Sequence, residues 1–216
     1  MSQDPRGPYV ETQSHVLFYP FNPRPEEIDI EDIAVALSRK PRFDGHSPLS
    51  IAEHSLVVRR IVKNKLNNPN PIAALIALLH DAPEAYGPDV ARPIKELLLA
   101  RDPVTHKAEL WEATEQRILG CILRALVPVN SGLLVGHFHD VRLADDAALY
   151  WEAVNYLNSP HEWAKCPPHL ERFLPQPDDR IFSGMYASFP PGAHRIRQVF
   201  LDTFHHDLHE LSESGQ

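Results

Sequence analysis

The sequence predicts an all-α fold. Apolar residues recur at helical spacing through most of the 216-residue chain, no alternating β-pattern of useful length is present, and 21 prolines mark breaks between the periodic stretches. A chain of this length can bury one good-sized core, so one domain is the default. Two parts are expected: an extended N-terminal arm over residues 1–25 and a single helical domain over residues 26–216.

The arm is Pro-rich and aperiodic and ends at Pro23-Arg24-Pro25. Tyr9, Val10, Val16, Leu17, Phe18, Tyr19 and Phe21 make it too apolar for a free tail, so it is expected to pack on the body or on a partner subunit. Residues 26–38 carry acids in the first turn and Ile30, Ile33, Ala34 and Leu37 on one stripe, an amphipathic helix with a favourable dipole arrangement. A basic loop, Arg39-Lys40-Pro41-Arg42, leads through Asp44-Gly45-His46-Ser47-Pro48 to Ser50, with Glu53 placed three residues on as in a capping box. A helix over residues 50–66 then carries Ile51, His54, Leu56, Val57, Val58 and Ile61.

After the turn Asn67-Asn68-Pro69-Asn70-Pro71, Ile72, Leu75, Ile76 and Leu79 fall at i, i+3, i+4 and i+7 and give a helix with one buried face. That apolar run leads into His80-Asp81, and Pro83 breaks the ladder just beyond, ahead of Glu84. Further helices are expected over residues 90–100, 105–126 (ended by Pro128) and 137–157. Residues 158–191 read as loops and short helical turns. A last helix over 193–211 carries His205, His206 and His209 as solvated residues.

Composition excludes several function classes. Formal net charge is −8 with no basic block, so binding to duplex or single-stranded nucleic acid is not favoured. An acidic protein that handles phosphates needs a local cluster of Arg, Lys or metal to overcome its own field. Cys121 and Cys166 form neither a CxxC nor a disulfide framework, which suits a reducing cytoplasm. No stretch is long and apolar enough to span a bilayer, and the N-terminus has no signal-peptide core, so a cytoplasmic location away from membranes is expected. The 13 histidines make a metal site plausible, although most are ordinary surface residues.

His80 and Asp81 end a buried helix, where an imidazole and a carboxylate cost free energy unless something pairs them. They are either a capped, solvated helix end or metal ligands. His54 lies among Ile51, Leu56 and Val57, and Asp145 among Val141, Leu143 and Leu149. A polar residue on such a face is hydrogen-bonded core or a ligand. Two His and two Asp drawn from separate helices make the joint ligand reading stronger than any one alone. The donor set, two nitrogens and two oxygens with no thiolate, suits Mn, Co, Fe, Ni, Zn or Mg rather than a structural zinc.

These residues carry a resemblance. His54, His80-Asp81 and Asp145 resemble the H…HD…D signature of the HD-domain metal-dependent phosphohydrolases, whose fold is a helical bundle. Ser50-Ile51-Ala52-Glu53-His54-Ser55-Leu56, His80-Asp81-Ala82-Pro83-Glu84-Ala85-Tyr86, Asp89-Val90-Ala91-Arg92-Pro93-Ile94-Lys95 and Leu143-Ala144-Asp145 are similar to segments of the bacterial 5′-deoxynucleotidases. They are also similar to phage-borne relatives that include dATP triphosphohydrolases. The similarity spans about residues 28–157.

The resemblance implies that His54, His80, Asp81 and Asp145 hold a divalent metal ion. It implies that Glu84 positions or deprotonates the attacking water, and that Asp89 contacts the substrate sugar or assists the water. Arg39 matches the basic position that binds substrate phosphate. Lys40-Pro41-Arg42-Phe43 departs from the aromatic that often follows this Arg in deoxymononucleotidases; the added charge of Lys40 and Arg42 suits a longer phosphate chain, or both are solvated loop residues. Arg92 and Lys95 add charge at the mouth, and His46 is either a surface residue or a donor to phosphate or metal.

The implied reaction is hydrolysis at the 5′ phosphate ester of a deoxynucleotide. A monophosphate would yield nucleoside and phosphate; a triphosphate, with dATP favoured, would yield nucleoside and triphosphate. The rival readings are an HD phosphodiesterase or oxygenase with two metals and further ligands, and a non-catalytic nucleotide-binding helical protein. The apolar arm and long helices point to a homo-oligomer.

Overall fold

A computed structural model describes residues 6–64, 66, 68–157 and 192–215. The expectation for residues 158–191, with Cys166, lies outside the described residues. The fold is all-α, with long helices α1 (Ile30–Arg39), α2 (Ile51–Asn64), α3 (Pro71–Leu79), α5 (Trp111–Leu126), α7 (Phe138–Tyr156) and α8 (Ala193–Glu213). Short turns of helix, α4 (Arg92–Lys95) and α6 (Ser131–Leu134), lie between them.

Local signals start the helices where the sequence places them. Asp29 caps α1 by accepting from the Glu31 amide at 2.9 Å. Ser50 and Glu53 form the expected capping box: the Ser50 amide donates to Glu53 Oε2 at 2.7 Å, and the Glu53 amide donates to Ser50 Oγ at 3.3 Å. Asn70 caps α3 with Pro71 as its first helical residue. Every residue of α3 from Ile72 to Leu79 is buried, because α2, α7 and α8 all pack on it.

The core joins Ile33 and Leu37 of α1, Val58 and Ile61 of α2, Leu75 and Ile76 of α3, Ile118 and Ile122 of α5, Ala144 and Ala148 of α7, and Phe200 and Phe204 of α8. Each large aliphatic or aromatic side chain so buried contributes about 1.5–3 kcal/mol before chain entropy is set against it. Behind the site, α2 and α8 are clamped by charge: Arg59 Nε and NH2 donate to the fully buried Asp207 carboxylate, and Lys63 reaches Glu210 at 2.6 Å.

Three elements differ from the sequence reading. The arm is a small hairpin, β1 (Val10–Glu11) against β2 (Leu17–Phe18), and it packs on the body. Phe18 is fully buried and stacks on Tyr86 with ring centroids 4.0 Å apart. The helix expected over residues 90–100 shrinks to the single turn α4. The chain then forms β3 (Leu99–Arg101), paired antiparallel with β4 (Ala108–Leu110). Ile94, Leu97 and Leu99 are exposed, so no buried stripe stabilises a longer helix, and a short one is marginal alone. Asp102 closes the β3–β4 turn by accepting from the amides of Val104 and Thr105, which moves the start of α5 from Thr105 to Trp111. Among the described residues no single helix is long and apolar enough to cross a membrane.

Candidate metal centre

The capping box starts α2 just before His54 and turns that side chain inward, where it is fully buried. The α3 helix delivers His80 at its C-terminus. Asp81 leaves helical geometry at φ −96°, ψ 8°, and Pro83 begins a 3₁₀ turn, Ala82–Ala85, that carries Glu84. Asp145 faces the same point from the buried side of α7.

These elements bring the four predicted ligands together. His54 Nε2 lies 3.0 Å from Asp145 Oδ1 and 3.6 Å from Asp81 Oδ2. His80 Nε2 lies 3.4 Å from Asp81 Oδ2 and 3.7 Å from Asp145 Oδ1. One ligand atom each from His54, His80 and Asp81 falls within 4.8 Å of the others.

The tautomer of His80 follows from its partner. Its Nδ1 sits 2.8 Å from the Ala77 carbonyl, which only accepts, so Nδ1 carries a proton and Nε2 is the nitrogen turned towards the carboxylates; burial opposes a second proton, but Asp81 and Asp145 raise the pKa. That Nε2 is buried with no hydrogen-bond partner. An orphaned buried imidazole nitrogen beside two carboxylates is costly by itself and is what a cation would satisfy. The residues present therefore fit a divalent ion.

His54 is arranged differently. Its Nδ1 lies 2.6 Å from Glu152 Oε1, so Nδ1–H donates there and Nε2 points at Asp145. Burial and the Arg42 charge oppose protonation of His54, but Glu152 and Asp145 outweigh them and hold its pKa up to about 10. A metal ion held at Nε2 would take the place of the proton there. Burial opposes ionisation of Asp145 as well, yet its hydrogen bond to His54 and the nearby His80 imidazole keep it well below the ordinary carboxylate range.

Glu84 is buried and its Oε2 has no hydrogen-bond partner. Burial, with the negative charges of Asp81 and Asp89, pushes its pKa up to about 9. Half-buried Asp89 is raised too, by burial first and by Asp81, while Arg42 and Lys95 pull the other way. Glu84, Asp89 and Asp81 thus share one electrostatic neighbourhood.

The basic residues separate. Arg42 turns inward: its Nε donates to Glu152 Oε2 at 3.2 Å and its NH1 lies 3.7 Å from Asp81 Oδ2. Burial opposes the Arg42 charge, but Glu152 and Asp81 hold the guanidinium protonated. Lys40 Nζ donates to the Glu84 carbonyl and, at 2.6 Å, to the Gly87 carbonyl. Lys95 pairs with Glu115 at 3.0 Å. Arg92 lies mostly in solvent, 3.7 Å from Asp145 Oδ2 and 3.4 Å from Asp146 Oδ1. Exposed Arg39 donates instead to Gln13 of the arm at 3.3 Å, and exposed His46 ends the 3₁₀ turn Phe43–Gly45. Neither hydrogen-bonds or ion-pairs with the cluster among the described residues.

Sequence reasoning missed Glu152. It lies seven residues beyond Asp145, two turns along the same helix, and that spacing puts both on one face. A second group of potential ligands, His206, Asp207 and Glu210, is engaged by Arg59 and Lys63, whose positive charges take the place of a metal ion.

No family model matches the chain. It is similar to the uncharacterized protein YfdR of Escherichia coli strain K12, 28% identical over 182 residues that cover 73% of this chain and 98% of YfdR. It is also similar to an uncharacterized protein of Rhodobacter capsulatus, 38% identical over 78 residues, or 34% of this chain and 40% of that protein.

Proposed function

We propose that the protein is a divalent-metal-dependent phosphohydrolase acting at the 5′ phosphate of 2′-deoxynucleotides. The observation that carries the metal part is His80 Nε2, buried and without a hydrogen-bond partner beside the carboxylates of Asp81 and Asp145. His54, His80, Asp81 and Asp145 would hold Mn, Co, Fe, Ni, Zn or Mg. The order of these residues and their flanking segments supports the HD reading and, through it, the deoxynucleotide.

When bound, the ion supplies Lewis acidity to a phosphate oxygen and makes a water more acidic. The chain's own residues do the rest. Burial and neighbouring acids keep the Glu84 carboxyl protonated in the metal-free chain; the charge of a bound cation would lower its pKa and free the carboxylate to take the proton of the attacking water. The water oxygen adds to phosphorus, the bond to the 5′ oxygen breaks, and that oxygen takes a proton as the nucleoside leaves. Arg92, mostly in solvent beside Asp145, and Lys95, paired with Glu115, would supply local positive charge for an anionic substrate in a chain whose formal charge is −8. Asp89, close to Glu84, faces the sugar side in this reading.

Product analysis tests it: dAMP, dGMP, dCMP, dTMP and the four dNTPs, each with Mn, Co, Mg or Zn. Free phosphate from monophosphates identifies a 5′-deoxynucleotidase, and intact triphosphate released from one dNTP identifies a triphosphohydrolase. No product from any combination would leave a non-catalytic binding protein.

A further inference from the structure

Glu152 is a fully buried carboxylate that touches no substrate-facing surface, and both of its oxygens are used. Oε1 accepts from His54 Nδ1 at 2.6 Å, and Oε2 accepts from Arg42 Nε at 3.2 Å. Arg42 continues the chain of contacts to Asp81 Oδ2, 3.7 Å from its NH1. A loop residue thereby connects α7 to the end of α3 behind the metal ligands.

We propose that Glu152 and Arg42 are a positioning pair that sets how tightly the cation is held: Glu152 fixes His54 with its proton on Nδ1 and its Nε2 free for the ion, and Arg42 holds Glu152 in place while tethering Asp81. This rests on the metal reading above. A carboxylate accepting the far nitrogen of a ligand imidazole fixes ring orientation and raises ligand basicity. A lone buried carboxylate is costly, so Glu152 needs the Arg42 guanidinium to exist there ionised. Charge also balances: Arg42 against Glu152, Asp81 and Asp145 leaves two negative charges, which a divalent ion cancels.

The pairing gives Arg42 a role the sequence did not suggest. Its position next to Lys40 and Pro41 reads as a phosphate-facing loop, whereas its donors point into the protein. It is a positioning residue, not a substrate ligand.

The test is calorimetric titration of Mn or Zn into the metal-free full chain, wild type beside Glu152→Gln and Glu152→Asp. Gln keeps an oxygen for Nδ1–H but loses the charge; Asp is one methylene too short to reach both partners. Each is expected to weaken metal binding about 10- to 100-fold with the helical content unchanged. Unchanged affinity in Glu152→Gln, with wild type binding tightly, overturns the pair and leaves the metal reading standing. No uptake by wild type overturns the metal reading and the pair with it. Should both variants fail to fold, the wild type still decides: in ¹⁵N-histidine-labelled, Zn-loaded protein His54 must show a protonated Nδ1. A protonated Nε2 overturns the proposal.

Discussion

His80 donates its Nδ1 proton to the Ala77 carbonyl at 2.8 Å, one turn back along α3, and so turns its Nε2 towards the carboxylate of Asp81. The helix's last turn thereby selects the tautomer that a metal requires. A backbone acceptor, unlike a side chain, cannot be mutated away, so this half of the site is built into α3 itself.

The buried Glu84 makes stability depend on pH in a definite direction. Its pKa is raised from 4.5 to about 9, so the folded chain keeps a proton that the unfolded chain releases. The associated stability is complete below about 4.5 and is lost as pH rises towards 9. In EDTA, the melting temperature of Glu84→Gln should therefore exceed that of wild type by a margin that widens between these limits. A margin that stays constant across thermal melts from pH 5 to 9 would refute the assignment.

Lys40 ties down the turn that carries Glu84, since its ammonium donates to the carbonyls of Glu84 and Gly87. Replacing it with Met leaves two carbonyls short of a donor, a cost of about 1–3 kcal/mol each where they are shielded from water. Lys40→Met should lower kcat while metal affinity and substrate KM stay near wild type. A rise in KM confined to triphosphates would instead place the ammonium on the phosphate chain.

The arm is part of the folded body. Phe18 is fully buried and stacks on Tyr86, immediately after the Glu84 turn. Phe18→Ala should cost roughly 3–5 kcal/mol in urea unfolding. A loss below 1 kcal/mol would mean that the hairpin docks weakly.

Asp207 carries no catalytic role, but Arg59 and Lys63 converge on it from α2. Removing one partner of a buried charge pair costs about 3–5 kcal/mol, so Asp207→Asn should unfold at markedly lower denaturant concentration. Its metal content should match wild type; a loss of metal would show that this cluster, too, binds a cation.

Much of the fold was legible because buried helices declare themselves by period. The apolar stripes of α2 and α3 and the capping box at Ser50 and Glu53 gave the helices that carry His54 and His80. Loop path was not legible. Arg42, rather than Arg39, turns inward because its amide donates to the Leu49 carbonyl at 2.8 Å and the next two residues, Phe43 and Asp44, take φ of 53° and 52°. Left-handed backbone at two successive non-glycine residues has no signal in side-chain pattern. The stretch from α4 to β4 misled for the opposite reason. Leu97, Leu99 and Leu110 are apolar yet exposed, so they mimic the stripe of a buried helix that does not exist. Glu152 was legible in principle, two turns from Asp145, but an acid between apolar neighbours gives no hint by itself of which histidine it meets.

A cation held by His54, His80, Asp81 and Asp145 is the centre of the proposed chemistry. Elemental analysis of the protein purified from metal-supplemented culture, wild type beside Asp81→Ala, tests this most directly. One divalent ion per wild-type chain and essentially none in the variant is the expected result. A metal-free wild type after exposure to Mn, Co, Zn, Ni, Fe and Mg, or a variant that retains the ion in full, would contradict it.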